Sequence, residues 1–129
     1  MRTAKMSVDG REYLLCFSGR VIRNVTEKFG SLPAMYEAFG QEEQEKSLDA
    51  AVWVLSQMIQ AGDRYAKLNG LENPGMLSFD DLYDLFDIND FTGIYLKIKE
   101  TIRSGKQQTV TAVPDTSGGG RKNAAATPG

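Results

Sequence analysis

A single apolar stripe between Glu42 and Leu68 constrains the fold of this chain more than any other feature of its sequence. Its members are spaced by 4, 3, 4, 3 and 4 residues, and they are Leu48, Val52, Leu55, Ile59, Gly62 and Ala66. This spacing places them on one face of an α-helix, which Ala51, Val54 and Met58 widen. The pattern predicts one long central helix from about Glu42 to Leu68, ended by Asn69-Gly70.

Gly62 is the member of the stripe that disfavours a helix. A glycine in a helix interior costs about 1 kcal/mol relative to alanine. Gly62 therefore indicates either a break or the close approach of a neighbouring element, and we expect the helix to continue through it.

The N-terminal segment predicts a β-hairpin. Asp9-Gly10 is a dipeptide that tolerates the positive φ of a tight turn, and apolar residues alternate on both sides of it: Met6 and Val8 before, Tyr13, Leu15 and Phe17 after. Leu14 and Cys16 are also apolar, so we expect the second strand to be covered on both faces. A lone hairpin is marginally stable in water, so this one must lie on the helices or pair with another chain.

Four shorter helices are expected around the central one. The first is indicated by Val21, Ile22, Val25 and Phe29 with Gly30 as its cap, and the second starts at Ser31, has Pro33 in its first turn and ends at Gly40. A third short helix begins at Ser78 and presents Leu82, Leu85 and Phe86. The last helix runs from about Asn89 to Ser104 and is ended by Gly105. Its inward-facing residues are expected to be Phe91, Ile94, Tyr95, Ile98 and Ile102.

Together these elements predict a mainly α fold. Residues 1–105 are expected to form one small helical domain of about five helices with an N-terminal β-hairpin. Phe29 and Trp53 are expected to contribute to one core.

Residues 106–129 have a different composition. They contain no Leu, Ile, Met or aromatic residue, and their only large aliphatic side chains are Val110 and Val113. So little apolar surface cannot offset about 1–2 kcal/mol of backbone entropy per ordered residue. The triplet Gly118–Gly120 adds further freedom. The sequence predicts a disordered, flexible tail or linker.

The charge balance and residue types disfavour several classes of function. Residues 1–105 hold 12 basic and 16 acidic residues, a net charge of −4, which disfavours nucleic-acid binding. Histidine is absent from the sequence, and the single cysteine, Cys16, lies in an apolar strand and is interpreted as a core residue. No phosphate-loop or nucleophile motif is present, and no run is long enough to span a membrane or act as a secretion signal. We expect no enzyme activity, no cofactor and no membrane association.

One stretch, from Asp87 to Glu100, partly matches a calcium-binding loop. Asn89 fits the third place, but Phe91 takes the fifth, Gly93 arrives one residue late, and Ile98 stands in the twelfth place where the motif has Glu. We therefore expect no metal site. Asp87, Asn89 and Asp90 are interpreted as a turn and N-cap for the last helix.

The acidic residues of this region have three interpretations. They are Asp80, Asp81, Asp84, Asp87 and Asp90. A solvated face ranks first, an electrostatic docking surface second, and a catalytic carboxylate pair third.

Several aromatic residues are candidates for packing or for binding. Tyr36, Trp53, Tyr65 and Tyr83 occur at spacings typical of core or half-buried residues. Amphipathic aromatic side chains also supply much interface energy, so one or two of them are candidates for a partner surface.

In its order of elements the chain resembles the small tail assembly chaperones of long-tailed bacteriophages and related prophages. The shared features lie within residues 5–105: a strand pair turning at Asp9-Gly10, the amphipathic stretch Arg20 to Gly30 ending in Glu27-Lys28-Phe29-Gly30, the central helix with Leu55 to Ala61-Gly62, the restart at Leu77-Ser78, and a final helix running to Ile102.

The resemblance implies a non-enzymatic function. Such chaperones bind the long tape measure protein, keep it soluble and help to recruit tail tube subunits around it. They act in the cytoplasm of the host bacterium and leave before the tail is complete, so the mature virion is not expected to contain them. In many relatives a ribosomal frameshift adds a second domain to a minority of chains, which would give the tail the role of a linker.

Two other classes remain open from the residues themselves. One is a small helical adaptor or regulatory protein of a phage or bacterium. The other is a small enzyme subunit that needs residues from a partner. Self-association is also possible for a chain that carries a hairpin.

Overall fold

The structure is a computed structural model and describes residues 3–105; the predicted tail, residues 106–129, lies outside them. The described chain is mainly helical, with five α-helices after an N-terminal hairpin. In chain order the elements are β1 (Thr3–Val8), β2 (Arg11–Cys16), α1 (Gly19–Phe29), α2 (Leu32–Ala38), α3 (Gln44–Asn69), α4 (Phe79–Leu85), a 3-10 turn (Ile88–Asp90) and α5 (Phe91–Gly105). The predicted fold class is confirmed. Among residues 3–105, no helix combines the length and apolar character needed to cross a membrane.

The helix boundaries follow the capping residues of the sequence. Ser31 Oγ accepts a hydrogen bond from Ala34 N at 3.1 Å, and Ser78 forms a reciprocal capping box with Asp81. Gly30 and Gly70 end α1 and α3 with φ of 99° and 67°, a region that disfavours residues with a Cβ.

Two boundaries differ from the prediction. α3 begins at Gln44 rather than Glu42, because the backbone of Glu43 is still extended, with φ −82° and ψ 114°. α5 begins at Phe91 rather than Asn89, because the residues before it form the 3-10 turn, which Asp87 caps.

α3 is the centre of the core. All six members of the predicted stripe are buried, and Ala51, Val54 and Met58 are buried with them. Ser56 and Asp63, which flank the stripe on α3, are buried too. This is possible because α3 contacts β2, α5, α4, α1 and α2, so that little of its middle section faces solvent.

The hairpin lies on the helices and has the predicted turn. Asp9 and Gly10 have φ of 51° and 80°, and the register runs from the pair Val8–Arg11 to the pair Thr3–Cys16. Both strands contact α5, and β2 also contacts α3. Leu14 and Cys16 are buried in addition to Tyr13 and Leu15, so the expected covering of both faces of β2 is confirmed.

Gly62 is the point where β2 crosses α3. A Cβ built on Gly62 would overlap the carbonyl group of Leu14 and lie 2.9 Å from Leu15 N. The helix continues through Gly62 as predicted, and the glycine allows strand and helix to touch backbone to backbone.

Two predicted apolar faces need correction. Ile22 is 47% exposed and Leu85 is 46% exposed. Only Val21 and Val25 of α1 and only Leu82 of α4 are fully covered. These short helices each lie against the core along a narrow line, so the apolar residue beside that line remains in solvent. Phe29 and Trp53 do join the core, as half-buried residues at its edge.

Candidate partner-binding groove

An open groove lies where the C-terminal end of α1, the end of α2, the first half of α3 and the start of α4 meet. Its volume is about 490 Å³, and its lining residues are Lys28, Phe29, Ala38, Gln41, Lys46, Asp49, Ala50, Trp53 and Phe79. We call it the Trp53 groove, after its largest side chain.

Trp53 and Phe29 form one wall of the groove. Their rings meet edge to face, with centroids 5.8 Å apart and an interplanar angle of 81°. Lys28 Nζ lies 4.9 Å from the centroid of the Trp53 ring, within range of a cation–π interaction. Trp53 is half-buried, and its indole N–H has no hydrogen-bond acceptor among residues 3–105. Trp53 thus contributes a partly exposed aromatic side chain to the lining of the groove.

The first turn of α4 supplies another aromatic lining residue, Phe79. Phe79 is half-buried at the start of the helix and stacks on Tyr83, with centroids 5.2 Å apart and an interplanar angle of 21°. Partial burial, and then the negative charge of Asp49, raise the pKa of Tyr83. The phenol therefore stays protonated at neutral pH, beside the groove and close to Asp49.

The rim of the groove carries both signs of charge. Lys28 and Asp49 are exposed lining residues, and Lys46 forms an exposed ion pair with Glu43 at 2.6 Å. Exposed ion pairs contribute little to stability. Aromatic walls inside a charged, exposed rim match the usual arrangement of a protein–protein interface, in which a polar rim surrounds an aromatic centre.

A second aromatic cluster, between α2 and α5, is filled by its own rings. Tyr36, Phe39 and Tyr95 meet edge to face with centroids 5.9 to 6.3 Å apart, and Phe91 stacks on Tyr95. Burial, and then the neighbouring Tyr95, raise the pKa of Tyr36. The cleft beside them has a volume of only about 150 Å³. This cluster fastens α2 to α5 and leaves much less open space than the Trp53 groove.

The four aromatic residues singled out in the sequence have different places. Trp53 lines the groove and Tyr83 flanks it, whereas Tyr36 lies in the second cluster and Tyr65 packs against the core. Sequence reasoning missed Phe79 as a groove residue. The sequence places Phe79 in the first turn after the Ser78 cap, but it does not show that this turn lies beside α3.

The acidic residues near the last helix are used in caps. Asp87 Oδ1 accepts a hydrogen bond from Asn89 N at 2.8 Å, and Asp90 Oδ2 accepts one from Asp87 N at 2.9 Å. The predicted turn is confirmed, but Asp87 caps this 3-10 turn rather than α5 itself. Within residues 3–105, no three Asp, Glu, Cys or His side chains come together in a way that could hold a metal ion. Cys16 is buried, as its interpretation as a core residue requires.

A buried carboxylate that the sequence analysis did not single out connects three segments. Asp63 is 3% exposed, and its Oδ1 accepts a hydrogen bond from Asn73 Nδ2 at 3.1 Å while its Oδ2 lies 3.1 Å from Lys67 Nζ. Asn73 Oδ1 in turn accepts a hydrogen bond from Leu14 N at 2.9 Å. Burial alone would raise the pKa of Asp63, but the hydrogen bonds from Asn73 and Lys67 and the charge of Lys67 lower it overall. This network attaches the loop after α3 to β2 and has a structural role.

Comparison of the chain with protein-family models, with curated proteins and with solved structures finds no match. The Trp53 groove and the pattern of the sequence are therefore the two observations that bear on function.

Proposed function

We propose that this chain is a tail assembly chaperone of a long-tailed bacteriophage or prophage and that it holds a hydrophobic, helical segment of the tape measure protein in the Trp53 groove. The groove is the single observation that supports this proposal most. It combines aromatic walls, an indole N–H without an acceptor among residues 3–105, and a charged rim on an open surface.

The position of the groove between helices favours a helix as the occupant. An amphipathic helix places apolar side chains at positions i, i+3 or i+4, and i+7 along one side, and such a row fits an elongated apolar groove between helices. Phe29, Trp53 and Phe79 come from three different helices or helix ends, and all three aromatic side chains line the groove that would receive that row. Holding the apolar side of a partner helix in this way keeps it from aggregating.

The rim adds a requirement on charge. Lys28 and Lys46 favour a partner carboxylate on their side of the groove, whereas Asp49 favours a partner cation beside it. Lys28 is held above the Trp53 ring, so part of its freedom is already lost before binding.

The wider assignment follows from the resemblance described above. In this proposal the chain acts in the cytoplasm of the host bacterium, keeps the tape measure protein soluble, helps tail tube subunits to assemble on it, and leaves before the virion is complete. Residues 106–129 then serve as a tether or as a link to a frameshifted extension.

Co-expression with fragments of the tape measure protein tests the proposal. The chain and its Tyr65→Ala variant are expected to keep a tape measure fragment soluble, whereas Trp53→Ala is expected to fail. Tyr65 is the matched control because it is also a half-buried aromatic residue of α3 but lies outside the groove.

A second variant separates binding from folding. Lys46 is exposed, so Lys46→Glu reverses a rim charge without removing packing. It is expected to weaken capture of the fragment while the melting temperature stays that of the parent. A fragment that is equally insoluble with and without this chain would count against the tape measure protein as partner and favour the adaptor interpretation of the same groove.

A further inference from the structure

Two open depressions lie side by side near the start of α3, and the side chain of Ile88 lines both of them. The first has a volume of about 450 Å³, and its lining residues are Glu43, Gln44, Glu45, Leu48 and Ile88. The second has a volume of about 300 Å³ and includes Phe39 and Phe91 in its lining, together with Gln44 and Ile88. We call the two depressions together the Ile88 surface.

The Ile88 surface offers apolar side chains on both sides of an exposed isoleucine. Ile88 is 39% exposed, and a single exposed apolar residue is common on protein surfaces. Here, however, the buried Leu48 lines the depression on one side of it, and the half-buried Phe91 lines the depression on the other. The surface can therefore receive two apolar side chains of a partner, one in each depression.

The chain is strongly negative around this surface. Residues 42–48 hold three Glu and one Lys, and residues 84–90 hold three Asp and no basic residue, so the two segments carry net charges of −2 and −3. Residues 1–105 carry −4 in total, which leaves +1 for the remainder of the domain. The whole excess of negative charge thus lies in the two segments that border the Ile88 surface.

The chain itself neutralises little of this charge. Lys46 forms an ion pair with Glu43, but Glu45 and Asp84 have no ion pair among residues 3–105. Asp87 accepts a hydrogen bond from a backbone N–H, which does not cancel the charge of a carboxylate. Both α3 and α5 begin at this surface, and each helix N-terminus contributes only about half a positive charge. An anionic partner is therefore disfavoured and a cationic one favoured.

We propose that the Ile88 surface binds a basic amphipathic helix of another protein, with one apolar side chain in each depression and lysines or arginines beside them. Side chains at positions i and i+3 or i+4 of a helix share one face, so two of them can lie on either side of Ile88. Residues 106–129 of this chain are also basic, with a net charge of +2, but they contain no Leu, Ile, Met or aromatic side chain to place in the depressions. The occupant is therefore a separate protein.

The Ile88 surface is distinct from the Trp53 groove. Gln41 is the one lining residue that the two share, within residues 3–105. The charges also differ, because Lys28 and Lys46 line the Trp53 groove, whereas no Lys or Arg of the described chain lines either depression. This inference does not depend on the proposed function.

Fluorescence anisotropy with labelled synthetic peptides tests the proposal on the full chain. The probe is a helical peptide of about 15 residues made of leucine, lysine and alanine, with its leucines along one side. It is expected to bind the parent, and to bind more weakly as the salt concentration rises. Two matched peptides, one with glutamate in place of lysine and one with serine in place of leucine, are expected to bind at least about tenfold more weakly.

An apolar variant locates the binding site. Ile88→Ser is expected to raise the dissociation constant of the leucine–lysine peptide at least about tenfold. Ile22→Ser is the matched control and is expected to bind like the parent, because Ile22 is a 47% exposed isoleucine of α1 that lines neither depression.

A charge variant tests the surface without removing packing. Glu45 is exposed and lines the first depression, so Glu45→Gln is expected to weaken binding and to make it less dependent on salt. Glu27→Gln, at an exposed carboxylate of α1, is the matched control and is expected to change neither. The melting temperature of each variant shows that it is folded when it is measured.

Three results would overturn the proposal. One is a serine-containing peptide that binds as tightly as the leucine-containing one, because charge alone would then attract it to a solvated acidic face. Another is equal binding by the folded Glu45→Gln and Glu27→Gln variants, or by the folded Ile88→Ser and Ile22→Ser variants, because the peptide would then bind elsewhere. The third is self-association of the chain that Ile88→Ser abolishes, because a second copy would then occupy the surface.

Discussion

Replacing Gly62 with alanine tests the central packing of this fold, because helix propensity and tertiary structure predict opposite results. In an isolated helix the substitution would stabilise by about 1 kcal/mol. In the folded chain the new methyl group would overlap the carbonyl of Leu14 and lie 2.9 Å from Leu15 N. All the obstructing atoms belong to the backbone, so no side-chain rotation can make room.

The expected loss outweighs the gain in propensity. To admit the methyl group, β2 must move away from α3, although Asn73 holds Leu14 N on one side and Leu15 is completely buried on the other. Overpacking of a core position costs about 1–3 kcal/mol, and backbone overlap places this site at the upper end. After the gain of about 1 kcal/mol in propensity, a net loss of about 2 kcal/mol remains. For a domain of this size that lowers the melting temperature by about 10 °C.

Thermal unfolding followed by circular dichroism measures the effect, and Gly93→Ala is the matched control. Gly93 is also a helical glycine, but a Cβ at that position would meet nothing within 4 Å. Gly93→Ala is therefore expected to raise the melting temperature slightly. The reasoning is refuted if Gly62→Ala melts at or above the parent, because the strand would then have room to move without loss.

Three further changes have expected outcomes. Leu55→Asp places an unpaired charge at a position with no exposed surface. The cost is several kcal/mol against a total stability of about 5–15 kcal/mol, so the variant is expected to lose the circular dichroism spectrum of the folded chain. The control, Leu68→Asp, changes an 85% exposed leucine of the same helix and should be tolerated. The pKa of Asp63 in the folded chain is lowered from its ordinary 3.8. The ionised carboxylate therefore stabilises the fold fully above pH 3.8, and this contribution is lost as the pH falls through the lower pKa of the folded state. In denaturant titration, Asp63→Asn should be less stable than the parent at about pH 7, and the difference in the free energy of unfolding should narrow below pH 3.8. Deletion of residues 107–129 is predicted from composition to leave the melting temperature unchanged, and a truncated chain that melts several degrees lower would contradict that prediction.

Most elements of the fold were predictable from the sequence because their determinants are local. The turn at Asp9-Gly10, the caps at Ser31 and Ser78 and the glycine at the end of α1 each involve residues close together in the chain. The α3 stripe is also local, since each of its members lies only three or four residues from the next. The boundaries at Gln44 and Phe91 differ from the prediction because Glu43 is extended and the residues before Phe91 form a 3-10 turn.

The Trp53 groove was only partly predictable. Trp53 and Tyr83 stood out as aromatic candidates, but nothing in the sequence places Lys28, Trp53 and Phe79 on the same surface. These three residues are separated by about 25 positions from one to the next. They meet because α1 and α4 both lie against the first half of α3, and that arrangement depends on packing between helices rather than on any local pattern.

Gly62 and Asp63 show most clearly what the sequence determines and what depends on tertiary packing. The sequence by itself determined that residue 62 lies on the buried side of a helix, since its place in the stripe requires it. It left open whether the glycine marked a break or a close approach, and it did not indicate that Asp63 is buried. The tertiary structure decided both, because β2 crosses α3 at Gly62 and the loop after α3 brings Asn73 between Asp63 and Leu14. Hydrophobic periodicity states which face of a helix is covered, but only the packed chain determines which element covers it and how close that element comes.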